Sequence, residues 1–294
     1  MRHVYRCPIR WADMDLQAHV NNVAYVDYLQ EARIDMLAGH ARFGGAAAGQ
    51  GTLTDGIVVV RHEVSFLAPL VYRPEPVTID VWVAKVGAAS IEVAYEMYDV
   101  EPDGARRCYL QALTVLAPFN FAADQLRRLR PDERERMQRF ADDAVSRTAK
   151  LGPIGVGFEG HLSDLWVRFS DVDAYGHVNN VKYVEYFQEA RVLFLRELAQ
   201  SSGGQWRQWV VAHTDIDYLV PITFRAEPYA VRSWVEQVGT SSVTIRADIE
   251  DPLTGQVLAR GRAVLVGFDQ ATQAAQPLTP EQRQRLIENV QTGR

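Results

Sequence analysis

Two stretches of alternating apolar and polar residues along this chain each lead into a stretch with helical spacing. The alternation is typical of strands, and it runs through Tyr5, Cys7, Ile9 and Trp11 and again through Leu165, Val167 and Phe169. Helices are predicted next, near residues 22–37 and 180–195. In the first half, β-rich runs follow at residues 57–67, 77–86, 90–99 and 108–117. One helix with about five antiparallel strands predicts an α+β domain whose helix packs on the sheet.

The pattern occurs twice because the sequence itself is repeated. Residues 11–37 and 169–195 align at a constant offset of 158, with 15 of 27 positions identical. Residues 59–77 align with residues 211–229 at an offset of 152. At 294 residues the chain has room for two ordinary domains. We predict a first domain at residues 1–150 that ends in a linker helix, and a second at 151–294 that ends in a C-terminal helix.

The repeat preserves polar residues as well as apolar spacing, and this indicates two copies of a site. The recurring residues lie just before each predicted helix, and they are Asp13, Asp15, His19, Asn21 and Asn22 in the first copy and Asp171, Asp173, His177, Asn179 and Asn180 in the second. Free N–H groups and a partial positive charge at a helix N-terminus can stabilise an oxyanion. A carboxylate beside it can attack a carbonyl or activate water. The pattern therefore suits acyl transfer or hydrolysis.

Each of these residues also has a purely structural interpretation. Asp15 and Asp173 are the candidate catalytic carboxylates, although an Asp before a helix is commonly an N-cap. Asp13 and Asp171 favour a turn or capping role, and the asparagines favour a tight helix start. His19 and His177 suit either acid–base chemistry or positioning of the loop. A single His after D-x-D provides no second ligand cluster, so no metal site is expected.

Composition and charge argue against several classes of protein. A net charge of −6 argues against a general nucleic-acid binder, which needs a basic face. Cys7 and Cys108 lack metal-ligand spacing and form no disulfide framework. The first residues contain no apolar leader segment, and no run reaches transmembrane length. We therefore expect a cytoplasmic protein without a membrane partner.

Two connecting segments stand out. The Gly/Ala-rich residues 39–51 make the first copy's connection six residues longer, and we expect a mobile loop there. Pro131 and Pro280 each precede acidic or polar residues, the pattern of a helix that starts with Pro. The first of these helices is highly charged and is expected to be a solvated linker.

The motif D-x-D-x-x-x-H-V-N-N-x-x-Y before a helix resembles hot dog-fold acyl-CoA thioesterases of the 4-hydroxybenzoyl-CoA thioesterase type. Because both halves carry it, the chain resembles a tandem hot dog protein. The resemblance implies a long central helix wrapped by a curved antiparallel sheet, two units paired as an internal pseudo-dimer, and active sites where units meet. It assigns catalysis to Asp15 and Asp173 and the carbonyl-polarising N–H groups to positions near Asn22 and Asn180.

The first copy is also similar to acyl-carrier-protein thioesterases, but Gln17 and Tyr175 stand where those enzymes place a catalytic Asn. We predict hydrolysis of an acyl-CoA without metal or organic cofactor, with His19, Asn22, His177 and Asn180 contacting substrate. An acyl-carrier-protein thioesterase and a non-catalytic acyl-CoA-binding module are the alternatives, and a homo-oligomer of tandem units is left open. Since the copies differ at Gln17/Tyr175 and Ala18/Gly176, the second site is expected to be the more active.

Overall fold

Each half of the chain contains one long helix and an antiparallel sheet in the computed structural model, which describes residues 1–38, 55–142, 160–200, 208–269, 272 and 274–290. Two compact units divide the chain, Met1–Ala149 and Lys150–Arg294. The predicted domain boundary after residue 150 and the predicted loop at residues 39–51 lie outside the described residues. No helix among the described ranges is long and apolar enough to cross a membrane.

The first unit has the sheet order β1-β3-β4-β5-β2, with every neighbouring pair antiparallel and β6 paired to β5. Its elements in chain order are β1 (His3–Cys7), α1 (Asn22–Ala38), β2 (Asp55–Phe66), β3 (Val77–Val86), β4 (Ile91–Val100), β5 (Arg106–Asn120), β6 (Gln125–Leu126) and α2 (Pro131–Gln138).

The second unit repeats this arrangement in the order β7-β9-β10-β11-β8, with β12 paired to β11. Its elements are β7 (His161–Leu165), α3 (Asn180–Gln200), β8 (Trp209–Tyr218), β9 (Tyr229–Val238), β10 (Ser242–Asp251), β11 (Gln256–Asp269), β12 (Ala274–Ala275) and α4 (Pro280–Glu288). The predicted α+β class and the strand–helix–four-strand order are confirmed in both copies.

One stripe of each long helix forms the core against its own sheet. The spacing of three and four residues places these side chains on one helix face, and all are buried: Tyr25, Leu29, Ala32 and Met36 on α1, and Tyr183, Phe187, Ala190 and Phe194 on α3. Burying one of the larger of these side chains stabilises the fold by roughly 1.5–3 kcal/mol. The repeated sequence therefore repeats the core as well as the loop before the helix.

Three predicted elements end at least four residues from where the structure ends them. The first strand was expected to run to Trp11 but ends at Cys7, because Pro8 has no N–H to continue the ladder. In the second copy β7 ends at Leu165, short of Phe169. Helix α3 continues five residues beyond the predicted residue 195, through the helix-favouring sequence Arg-Glu-Leu-Ala-Gln.

The prediction of a solvated linker helix at Pro131 is wrong. Although α2 begins with Pro as predicted, Glu133 and Met137 are buried and Phe140 follows as part of the core. The N–H of Val83 on β3 donates to the carbonyl of Phe140 at 2.9 Å. The charged sequence of α2 gave no sign that the helix packs on the sheet, because only about one residue per turn needs to face the sheet.

Candidate active site

The loop before α1 is closed around the side chain of Asp15. The Asp15 N–H donates to the carbonyl of His19 at 2.8 Å, and a short β-bridge joins Met14 to Val20. Asp15 Oδ1 accepts the N–H of Gln17 at 2.8 Å and the N–H of His19 at 3.3 Å. Both of these bonds end on Oδ1, so the carboxylate has a fixed orientation within the loop.

The loop before α3 has the same construction around Asp173. Its N–H donates to the carbonyl of His177 at 2.9 Å, and its Oδ1 accepts the N–H of Tyr175 at 2.9 Å. A bridge between Val172 and Val178 closes this loop too. The two copies therefore present a carboxylate in the same backbone setting, which sequence identity alone did not guarantee.

Each loop leads directly into a capped helix. The side-chain oxygen of Asn21 accepts the N–H of Val23, and that of Asn179 accepts the N–H of Val181, both at 2.9 Å. The helices consequently begin at Asn22 and Asn180, and the predicted tight helix start is present. The N–H of a first helical residue has no partner within the helix, and the helix dipole makes this end partially positive.

The first Asp of each motif anchors the loop to the helix. The Tyr28 hydroxyl donates to Asp13 and the Tyr186 hydroxyl donates to Asp171, the latter at 2.7 Å. Asp171 also accepts the N–H of Arg168 at 3.0 Å and is only 2% exposed. Burial, followed by the bonded carboxylate, raises the pKa of both tyrosines. These contacts match the structural role expected for Asp13 and Asp171.

A second pair of tyrosines ties the motif to the segment after the first long strand. The Tyr25 hydroxyl accepts the N–H of Leu70 at 2.9 Å, while the N–H of Val20 donates to the Leu70 carbonyl at 2.8 Å. In the second copy, Tyr183 and Val178 bind Ile222 in the same way, at 3.0 and 2.8 Å. Sequence reasoning missed Leu70 and Ile222, although the neighbouring Pro69/Pro221 repeat marked this segment.

His19 and His177 contribute backbone groups to their loops. In both residues the carbonyl accepts the N–H of the motif's second Asp, so the histidine position closes the loop. This agrees with a positioning role, and the predicted substrate contacts of their rings stay predictions. Across the described ranges, no three His, Cys, Asp or Glu side chains converge as a metal site.

The two turns differ at the residue before the histidine. Ala18 has a φ of 59° and Gly176 a φ of 81°, so both occupy the left-handed region. An alanine there costs roughly 1–2 kcal/mol, whereas glycine adopts it freely. Beside Gly176, burial and then the charge of Asp173 raise the pKa of Tyr175. The second loop is the less strained of the two.

A family model described as the thioesterase-like superfamily matches residues 9–137 and 167–286, which together contain both loops and both long helices. This chain belongs to the thioesterase-like superfamily. Its family is one of thioesterase hydrolases.

Single-unit relatives match about two fifths of the chain. The long-chain acyl-CoA thioesterase FadM of Escherichia coli (strain K12) is 31% identical over 129 residues, which is 42% of this chain and 95% of FadM. The uncharacterized protein YsmA of Bacillus subtilis (strain 168) is 32% identical over 124 residues, covering 41% of this chain and 81% of YsmA.

Solved structures of whole-chain length share the fold. An acyl-ACP thioesterase from Bacteroides thetaiotaomicron has a TM-score of 0.66 at 17% identity, covering 90% of this chain and 97% of that one. The 12:0-ACP thioesterase from Umbellularia californica has a TM-score of 0.69 at 17% identity, covering 91% and 97%. With the family match, they confirm the predicted pair of hot dog units.

Proposed function

We propose that the chain hydrolyses an acyl-CoA thioester to the free acid and CoA, with Asp15 and Asp173 as the catalytic carboxylates. The observation that carries the proposal is the same in both copies. In each copy, Oδ1 of the carboxylate accepts the N–H of the residue two positions later, a few residues before a capped helix. The similarity to the acyl-CoA thioesterase FadM supports CoA as the carrier.

The chemistry needs a nucleophile and a site for the oxyanion. In this proposal the second oxygen, Oδ2, either attacks the thioester carbonyl or removes a proton from an attacking water. The carbonyl oxygen lies at the helix start, where the N–H of Asn22 donates to it in the first site and the N–H of Asn180 in the second. One such donor contributes roughly 2.7–4 kcal/mol to transition-state stabilisation in well-studied cases. The CoA thiolate then leaves. Attack by water gives the free acid directly, whereas attack by Oδ2 gives an acyl-aspartyl anhydride that water hydrolyses to the free acid and the regenerated carboxylate. His19 and His177 contact the substrate.

An acyl-carrier-protein thioesterase is the second candidate. It is favoured by the likeness along nearly the whole chain to two structures named as acyl-ACP thioesterases, although that likeness is of fold alone. A non-catalytic acyl-CoA-binding module is less favoured, since both copies keep the carboxylate.

A hydrolysis assay separates these candidates. The purified full chain is given acyl-CoAs of increasing chain length, aliphatic and aromatic, and the same acyl groups on acyl-carrier protein. We expect thiol release, with higher kcat/KM on the CoA series. A higher value on acyl-carrier protein would select the second candidate. Binding of acyl-CoA without any thiol release would support the binding module.

A further inference from the structure

The space between the long helix and the sheet is filled differently in the two units. The pairing of the strands shows which positions of the first unit are equivalent to which positions of the second. The rows Tyr95–Ala112–Val64 and Val93–Thr114–His62 in the first unit correspond to Ala247–Gly261–Ile216 and Ile245–Ala263–Thr214 in the second. Position 33 on α1 corresponds to position 191 on α3, and both are Arg.

In the first unit, large polar side chains fill this space and bind each other. Arg33 Nη1 donates to the Tyr95 hydroxyl at 3.2 Å, and His62 Nδ1 lies 2.8 Å from Thr114 Oγ1. Tyr95 and His62 are 0% and 1% exposed. Burial, and then the charge of Arg33, lowers the pKa of His62 to about 3, so the imidazole is neutral. Arg33 therefore has its hydroxyl acceptor within its own unit.

In the second unit, four of these six positions carry smaller side chains, and a cavity is left beside them. Ala247 replaces Tyr95, and the residues that line the space include Phe187, Arg191, Thr214, Ala247 and Arg262. Its free volume is about 10 Å³, room for one water-sized group, and it is partly open, so it admits only the terminal polar atom of a ligand. The sheet approaches closely here, since a Cβ at Gly261 would lie 3.0 Å from the Phe187 ring.

Arg191 lines this cavity without the partner that Arg33 has. It is 8% exposed, and within the described part of the chain no carboxylate or hydroxyl binds its guanidinium. Burial alone lowers its pKa, to about 10. A buried cation without a partner is costly, and a bound oxygen would offset that cost. The guanidinium presents several N–H donors in a plane, which suits carboxylate and hydroxyl oxygens.

We propose that this cavity binds the oxygen-bearing distal end of an acyl group, with Arg191 donating to a hydroxyl or carboxylate oxygen. The inference rests on the proposed function and assigns the second unit a substrate class, acyl thioesters oxygenated far from the thioester. Arg191 lies about three helical turns, roughly 16 Å, beyond the start of α3. A medium-length chain whose thioester lies at the helix start can span that distance.

The test compares acyl-CoAs of equal length that end in a methyl, a hydroxyl or a carboxylate. We expect wild type to have the higher kcat/KM on the oxygenated forms. Arg191→Met is expected to reduce the ratio of oxygenated to plain substrate about 10-fold, the value of a hydrogen bond to a charged group. Ala247→Tyr places the side chain of the first unit in the cavity, so it is expected to abolish the preference, and its melting temperature shows whether the unit stays folded. Arg33→Met is the matched control and is expected to leave the ratio unchanged.

A second readout does not need turnover. The melting temperature of wild type is expected to rise with the free hydroxy or dicarboxylic acid, and the rise is expected to disappear in Ala247→Tyr. Equal kcat/KM for all three ends in wild type, or a ratio unaffected by Arg191→Met, would overturn the inference and leave the proposed function standing. Failure to hydrolyse any acyl-CoA would instead reject the proposed function, and the melting shifts alone would then decide about the cavity.

Discussion

At the scale of single residues, the motif separates into anchoring and chemical positions. The two aspartates of each D-x-D differ in their partners. Asp13 and Asp171 accept tyrosine hydroxyls from the helix, whereas Asp15 and Asp173 accept only backbone N–H groups among the bonds described above. The first Asp of each motif, bonded to a helix tyrosine, stabilises the loop. The second Asp, bonded to the loop backbone, is held in a fixed orientation in which it can meet a substrate.

The anchoring role predicts unequal stability losses for two matched substitutions. Tyr186→Phe removes a donor from Asp171, whose side chain is 2% exposed, and is expected to destabilise the second unit by about 1–3 kcal/mol. Tyr28→Phe is expected to cost less, since Asp13 is more exposed and keeps the Arg10 guanidinium at 2.8 Å, whereas the Lys182 ammonium lies 3.7 Å from Asp171. Denaturant unfolding of both variants measures the difference. A larger loss from Tyr28→Phe would contradict these roles.

At the scale of elements, each unit ends with a short helix that begins in a different way. In α2, Glu133 accepts the Arg130 N–H at 2.8 Å and pairs with the guanidinium of Arg127 at 2.7 Å. In α4, the equivalent residue is the neutral Gln282, whose N–H donates to Thr279 Oγ1 at 3.2 Å. The first unit therefore depends on a buried charge where the second does not.

This difference predicts a pH dependence for α2. Burial would raise the pKa of Glu133, but the bonds from Arg127 and Arg130 outweigh it and lower the pKa to about 2. In the unfolded chain the pKa of a Glu is near 4.3, so the ionised Glu133 carboxylate stabilises the fold at pH values above about 4.3. That stabilisation is lost as the pH falls toward 2 and Glu133 becomes protonated in the folded chain. Glu133→Gln, which copies α4, is therefore expected to lower the melting temperature at neutral pH.

Measuring Glu133→Gln at several pH values provides a control for this prediction. The difference in melting temperature between wild type and Glu133→Gln is expected to shrink between about pH 5 and pH 2, as Glu133 becomes protonated. A constant difference over that range would show that the charge of Glu133 does not stabilise α2. Gln282→Glu in α4 is the reciprocal variant, and it is expected to introduce little such dependence because α4 has Thr279 rather than two arginines at this end.

The elements also show what a sequence can predict and what it cannot. Strand β3 coincides with its predicted run at residues 77–86, since six of its ten residues are β-branched and favour a strand. The start of each long helix followed from the H-V-N-N motif because Asn is a strong cap. The docking of α2 was missed because its buried residues, Glu133 and Met137, do not form an apolar stripe. The partners Leu70 and Ile222 were missed because their contacts depend on tertiary structure.

At the scale of the whole molecule, the sequence repeat keeps the loop and core but alters what surrounds them. The turn carries Ala18 in one copy and Gly176 in the other, and Tyr95 in the first unit corresponds to Ala247 beside the cavity of the second. Gly176 removes backbone strain from the turn of the second unit, and Ala247 leaves space in its core. This divergence supports the prediction that the two sites are unequal and that the second is the more active.

The measurement that tests the central claim most directly is the kcat/KM of Asp15→Asn, Asp173→Asn and the double variant on the best acyl-CoA. The Asn side-chain oxygen can still accept the loop N–H groups, so the melting temperatures are expected to stay near wild type while the negative charge is lost. Each single variant is expected to retain part of the activity, with the larger loss from Asp173→Asn. The double variant is expected to lose roughly 10²-fold or more. A folded double variant that hydrolyses the thioester at the wild-type rate would contradict the assignment of both carboxylates.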